Sequence, residues 1–282
     1  MPPETSETFT IGANYSSISD LEISAQFFST NISNVVGTLG YQELLNGCFI
    51  AANLSLCQRV HRQGSGVFFD HIDLTNINFF SKKIEGFDFN IRQGFDLATS
   101  GNKLIDGELE LQMMGTLALK NTRNGYINSG PFPELNFEEV SIDCTGFHDG
   151  EAYIGNPGGT CGEPIPKWKH IVSAKYSDGD WSLTARWRYS SSTQIDNLNP
   201  DVPTPFAPFR PKFASETGAV HYIDLSGNWD INEKLNLSAG VINLFDQDPP
   251  IFGDCCSEQA NTFPSSYNPL GRQFFIAARA NF

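Results

Sequence analysis

The chain has 282 residues, 12% aromatic and only 18% charged against a usual charged share of about 25%, so it is neither disordered nor of low complexity. A formal net charge of −14 excludes nucleic acid as a partner, which would need a basic face. The longest uninterrupted apolar runs, such as Phe274–Ala278, have five residues where a spanning helix needs about 20, so a membrane role is open only to a β-barrel with alternating strands.

Alternation with period two predicts nine strands, near 7–15, 21–32, 74–98, 107–121, 167–177, 180–192, 219–229, 235–245 and 271–282. The clearest is Trp181–Tyr189, where Trp181, Leu183, Ala185, Trp187 and Tyr189 share one face and Ser182, Thr184, Arg186 and Arg188 the other. The third strand is long and carries Lys82-Lys83 in its middle, which allows two strands there. No convincing helix is predicted; Tyr41–Leu45 has room for a turn or two within a loop. Connections at 16–20, 99–106, 178–179 and 230–234 are short, whereas 33–73, 122–166, 193–218 and 246–270 are long. Strict alternation of short and long connections is the habit of a transmembrane barrel, with tight periplasmic turns and long outer loops. An ordinary half-buried antiparallel sheet gives the same residue alternation but has no reason to sort its loops. The apolar rows then face lipid, the polar rows a lumen, and Tyr15, Trp181, Tyr189 and Trp229 fall where aromatic girdles sit. A count of nine strands starting on the loop side predicts the last part of a larger barrel, because single-chain bacterial barrels have even counts.

The long loops hold all six cysteines, Cys48, Cys57, Cys144, Cys161, Cys255 and Cys256, and no C-x-x-C occurs. An even number at loop positions fits disulfides made in an oxidising compartment, and Cys48 with Cys57 and Cys144 with Cys161 are the natural local pairs among the connectivities that six cysteines allow. For Cys255 and Cys256 all pairings stay open. The first basic residue is Arg59, so no signal peptide is legible, and Met1–Thr8 reads as the interior of a longer protein.

No nucleophile elbow, Walker loop or dinucleotide fingerprint is present, so no catalytic or cofactor-binding residue is expected. The five histidines show no metal-ligand spacing, and no metal is expected; His148-Asp149 reads as a solvated turn. Glu108 and Glu110 share a strand face as lumen carboxylates rather than as an acid/base pair. Arg92, Arg186 and Arg188 are the lumen cations available to an anionic ligand, in competition with ladder pairing to neighbours such as Glu108 and Glu110.

The C-terminal segments carry the most specific pattern. Phe274, Ile276, Ala278, Ala280 and Phe282 alternate up to a terminal phenylalanine, which resembles the assembly signal of bacterial outer-membrane proteins. Gly240-Val-Ile-Asn-Leu-Phe-Asp246, then Asp248-Pro-Pro250, then Tyr267-Asn-Pro-Leu-Gly-Arg-Gln-Phe-Phe275, is similar to the C-terminal signature of TonB-dependent outer-membrane receptors. Its motif positions here are Asn243, Leu244, Phe245, Asp246, Gly271 and Arg272. Pro3-Glu-Thr-Ser6, Ile84-Glu-Gly-Phe-Asp88, Trp187-Arg-Tyr189 and the paired loop cysteines resemble further segments of that family in the same order.

The resemblance implies an all-β, antiparallel transmembrane barrel segment with residues 1–282 as its C-terminal portion, half-open because the family's plug, TonB box and first barrel half are absent. It implies import of a scarce ligand of siderophore, vitamin or glycan class, with a fragment unable to transport by itself. The implied location is the outer membrane of a Gram-negative bacterium. The implied partners are outer-membrane lipid, the barrel-assembly machinery, the imported ligand and, through the missing plug, the TonB energy-transducing complex. A passive porin-like channel, which would lack the paired C-terminal motifs, and a soluble disulfide-bonded β-sandwich are the competing readings.

Overall fold

In a computed structural model of the chain, residues 2–17, 20–37, 44–45, 48–49, 52, 54–64, 69–74, 76–97, 106–128, 137–148, 161–195, 200, 216–252 and 259–281 are described. Fifteen strands occur among them: β1 (Thr5–Ser16), β2 (Leu21–Gly37), β3 (Val60–Arg62), β4 (Phe69–Ile72), β5 (Ile77–Asp96), β6 (Glu108–Asn128), β7 (Phe137–Asp143), β8 (Phe147–His148), β9 (Trp168–Asp178), β10 (Trp181–Ser190), β11 (Thr193–Ile195), β12 (Glu216–Thr217), β13 (Val220–Asn232), β14 (Leu235–Ile242) and β15 (Gln273–Ala280). Nine of them form one antiparallel meander in the order β1-β2-β5-β6-β9-β10-β13-β14-β15, with β7 extending the long end of β6. Neither β1 nor β15 has a second neighbour among the described residues, so the sheet is open.

These nine strands are the nine expected from alternation. The third is a single strand of 20 residues: Lys82 and Lys83 stay in the ladder, paired with Arg123 and Thr122. A register shift follows at Glu85/Gly86, where a Cβ on Gly86 would lie 2.7 Å from both Leu117 O and the Phe28 ring, so the bare glycine lets the aromatic lie across the ladder. Short elements escaped the alternation test because two to four residues show no period. They are the β3/β4 hairpin, the β8-β11-β12 sheet and a single helical turn at Leu54–Cys57.

Cross-strand pairing keeps each apolar row in register. Trp187 lies between Val172 and Ile223, Ala185 between Ala174 and Leu225, and Leu183 between Tyr176 and Gly227. This apolar face is uncovered: Ile11 is 61% exposed, Phe274 75% and Ile276 76%. The buried core lies elsewhere, at the rim with the long connections. Leu44, Cys48 and Leu56 are buried there, as are Ile142, Cys144 and Cys161, and a cluster of Val220, Tyr222, Phe252, Phe263 and Tyr267. Disulfides Cys48–Cys57 and Cys144–Cys161 fasten two of these loop bodies. Cys255 and Cys256 lie outside the described residues, as does Phe282.

Candidate functional site

The polar face of the meander carries the charged candidates. Arg92 on β5 sits opposite Glu22 and reaches diagonally to Glu110, with Nη2 2.7 Å from Glu110 Oε2 and Nη1 3.7 Å from Glu22. Arg188 on β10 pairs with Asp224 on β13 through two parallel bonds of 2.9 and 3.0 Å, its guanidinium 5.1 Å from the centre of the Tyr222 ring. The planar fork of arginine matches a carboxylate in this bidentate way, which a lysine could not reproduce. Arg186, one pleat away on the same face, has no carboxylate within 4 Å among the described residues. It lines a concavity of about 520 Å³ with Thr184, Ser226, Asn268 and Gln273. The arginines therefore divide: Arg92 and Arg188 close on neighbouring strands, and Arg186 faces open space.

The segment after β14 returns to the same Asp224 and is clasped to the start of β15 through Asp246. Asp224 Oδ1 also accepts the backbone N–H of Asn243 at 2.9 Å, so one carboxylate ties β10, β13 and the turn leaving β14. Asn243 is fully buried in a left-handed conformation (φ 56°), which asparagine tolerates better than most residues. Its side-chain amide donates to Gln247 O and accepts from Gln247 N–H, both at 2.9 Å, closing the turn that ends the strand. Asp246 Oδ1 accepts the Arg272 N–H at 2.7 Å, with the Arg272 guanidinium 3.8 Å from Asp246 Oδ2. Gly271 precedes it at φ 66°, and a Cβ there would meet Asp246 Oδ1 at 3.0 Å. Leu244 donates its N–H to Ile223 O, continuing the ladder past the end of β14, while Phe245 is 70% exposed at the rim.

The β8-β11-β12 strands bury a polar-aromatic cluster together with Phe252, Phe263 and Tyr267. His148, expected in a solvated turn, is 3% exposed: Nδ1 is 2.9 Å from Thr193 Oγ1, and the ring meets Phe252 edge-on at 4.8 Å. Burial pushes the His148 imidazole down to about 4 and the Tyr267 phenol up to about 12. The ordinary imidazole value is 6.5, so between pH 6.5 and 4 the unfolded loop takes up a proton that the folded one refuses. The stability this contributes is complete above pH 6.5 and is lost as pH falls towards 4, up to about 3 kcal/mol. Amide exchange at the β8–β11 bonds, corrected for intrinsic rates, is expected to show this acid-side loss. His148→Gln should flatten it; an unchanged profile in the variant would assign the acid sensitivity elsewhere.

A last cluster was not legible from spacing. The β3/β4 hairpin places His61 opposite His71, rings stacked at 4.2 Å, with both imidazoles turned to Asp73. The available sequence signal was the pair of short runs around Gln63-Gly64-Ser65-Gly66, a turn composition that brings residues ten apart face to face.

An open antiparallel meander with an uncovered apolar face, a polar face of paired charges, short turns at one rim and disulfide-bonded loops at the other defines part of the wall of a large β-barrel. The sequence matches the family described as TonB dependent receptor-like, beta-barrel, over residues 1–244, and the chain belongs to that family. Members of this family are receptors and transporters of the Gram-negative outer membrane rather than enzymes, and the intact receptor implies TonB and a ligand as partners. No curated protein sequence matches the chain.

Among solved structures the fold is similar to the ferric enterobactin receptor PfeA of Pseudomonas aeruginosa, a mutant solved in complex with enterobactin (TM-score 0.56, 17% identity). That match covers 99% of this chain and 32% of that receptor. A copper transporter, OprC, is also similar, with TM-score 0.51 and 16% identity over 100% of this chain and 32% of the transporter. The chain thus spans about a third of the length of these neighbours.

Proposed function

We propose that residues 1–282 form the C-terminal portion of the barrel wall of a TonB-dependent receptor in a Gram-negative outer membrane, which imports a scarce ligand of the siderophore, vitamin or glycan class. The observation that carries this reading is the uncovered apolar face and the two aromatic belts that bound it. Tyr15, Phe95, Tyr176, Trp181 and Trp229 lie at the short-turn end. Trp168, His170, Trp187, Tyr189 and His221 lie at the long-loop end, with His170 stacked on Tyr189 at 4.9 Å and Trp187 on His221. Trp181 and Tyr189 are eight residues apart on one strand, about 26 Å at about 3.3 Å per residue, which suits a tilted strand crossing a band about 25 Å tall. Similarity to siderophore and copper receptors supports the transport class. Of the three arginines named as lumen cations, Arg92 and Arg188 are held by carboxylates, and Arg186 has none within 4 Å among the described residues, which suits it to meet an anionic ligand. Energy for import would reach the intact receptor from the TonB complex through its plug, so this portion alone would not transport.

Ala185 stands midway between the belts, paired with Ala174 and Leu225. Ala185→Arg should lower the membrane-inserted, heat-modifiable fraction, because arginine at the lipid midplane costs about 2–4 kcal/mol. Gln26→Arg, on the polar face opposite Asp88, should insert like the parent protein. Equal insertion of both variants would remove the lipid-facing assignment.

A further inference from the structure

We propose that the β3/β4 hairpin is a binding site for a divalent transition-metal ion of the zinc class, held by Nε2 of His61, Nε2 of His71 and the carboxylate of Asp73. The three ligand atoms lie within 4.8 Å of one another, with His61 Nε2 3.0 Å from Asp73 Oδ2 and His71 Nε2 3.7 Å from Asp73 Oδ1. Two imidazole nitrogens and a carboxylate oxygen supply three ligands, and nitrogen-rich sets of this kind suit zinc, copper and nickel rather than magnesium or calcium.

A second observation points the same way. The other ring nitrogen of His71, Nδ1, is 3.0 Å from Asp70 Oδ2, and Asp70 is within 3.5 Å of the Gln63 amide. A carboxylate behind an imidazole fixes the tautomer that leaves Nε2 free to take a metal, the outer-shell arrangement usual at histidine-metal sites.

The site is built on anchored backbone. Cys57 is bonded to Cys48 two residues before Arg59, the helical turn runs on through Gln58 N–H to Leu54 O, and Asp73 N–H bonds Arg59 O at 2.9 Å across the hairpin base. Among the described residues the hairpin has three ladder pairs, Val60–Ile72, His61–His71 and Arg62–Phe69. A two-stranded ribbon of that size is marginal alone, and an ion bridging its centre from both strands would hold it closed. The ion is therefore a structural clip in the loop layer, independent of which ligand the barrel carries.

The test uses the protein as produced in the outer membrane and extracted in detergent, titrated with zinc chloride against a chromophoric chelator. One ion per chain is expected, with the His61→Ala/His71→Ala pair abolishing uptake and Asp70→Asn weakening it about 10–100-fold. Zinc should also shield both histidines of the parent protein from diethyl pyrocarbonate, read peptide by peptide, which needs no variant to fold. Absence of zinc binding, binding unchanged in the double variant, or histidines modified equally with and without zinc would each overturn the site.

Discussion

Replacing Phe274 and Phe282 together by serine is expected to remove most of the protein from the outer membrane while leaving its synthesis intact. Phe274 begins the apolar row of β15, faces Val241 in the ladder and is 75% exposed; Ile276 follows opposite Ala239 at 76%. The large exposed side chains of this row have no protein cover in the described sheet, so in the proposed setting lipid alone receives them. Taking one phenylalanine side chain back to water costs about 1.5–3 kcal/mol, and this row also resembles the signal that outer-membrane proteins present to their assembly machinery. Both losses act at insertion. Pulse-labelled protein should show equal synthesis and a strongly reduced heat-modifiable band, the single Phe282→Ser falling between. An unreduced band in the double variant would separate β15 from assembly.

The second large effect is expected from the sheet edges. Expressed and refolded in detergent as residues 1–282 only, the chain should give oligomers or aggregates and no energy-dependent uptake. Roughly half of the backbone N–H and C=O groups of β1 and β15 point away from their single partners, and each left unpaired in hydrocarbon costs several kcal/mol. Direct closure is no remedy, because in a nine-strand antiparallel meander the first and last strands run in the same direction and would meet as a parallel seam. The edges must find other strands, from the rest of a barrel or from another copy. A monodisperse monomer that imports ligand would contradict this.

Much of the architecture was legible because the signals that carry it are periodic or local. The alternation along Trp181–Tyr189 survives in the ladder residue for residue, since a one-residue slip would turn every apolar side chain to the polar face. The sorting of short and long connections gave the two rims directly. What escaped is what depends on contact between segments distant in sequence. Asp224 carries no motif, yet it joins Arg188 to Asn243; nothing in the residues around it distinguishes it from Asp230. Arg188 accordingly pairs with Asp224 rather than with Glu108 or Glu110, because β13, not β6, is its neighbour on that side. His148 sits in a glycine-rich stretch that reads as solvent-exposed, and contacts with Thr193 and Phe252, both distant in sequence, make it a core residue. His61 and His71 lie ten residues apart, a spacing that matches no helical or zinc-finger pattern and becomes meaningful only through the hairpin register.

The membrane-facing assignment can be checked without changing the protein, because all four tryptophans belong to the apolar face: Trp181 and Trp229 face each other in one belt, and Trp168 and Trp187 lie in the other. Reconstituted into bilayers containing lipids brominated at defined depths, the oligomers that residues 1–282 form by pairing their edges should show strong quenching of tryptophan fluorescence, greatest for bromines near the headgroups, with little quenching by aqueous acrylamide. Tryptophans that acrylamide quenches freely and brominated lipid leaves untouched would contradict a barrel wall in the outer membrane.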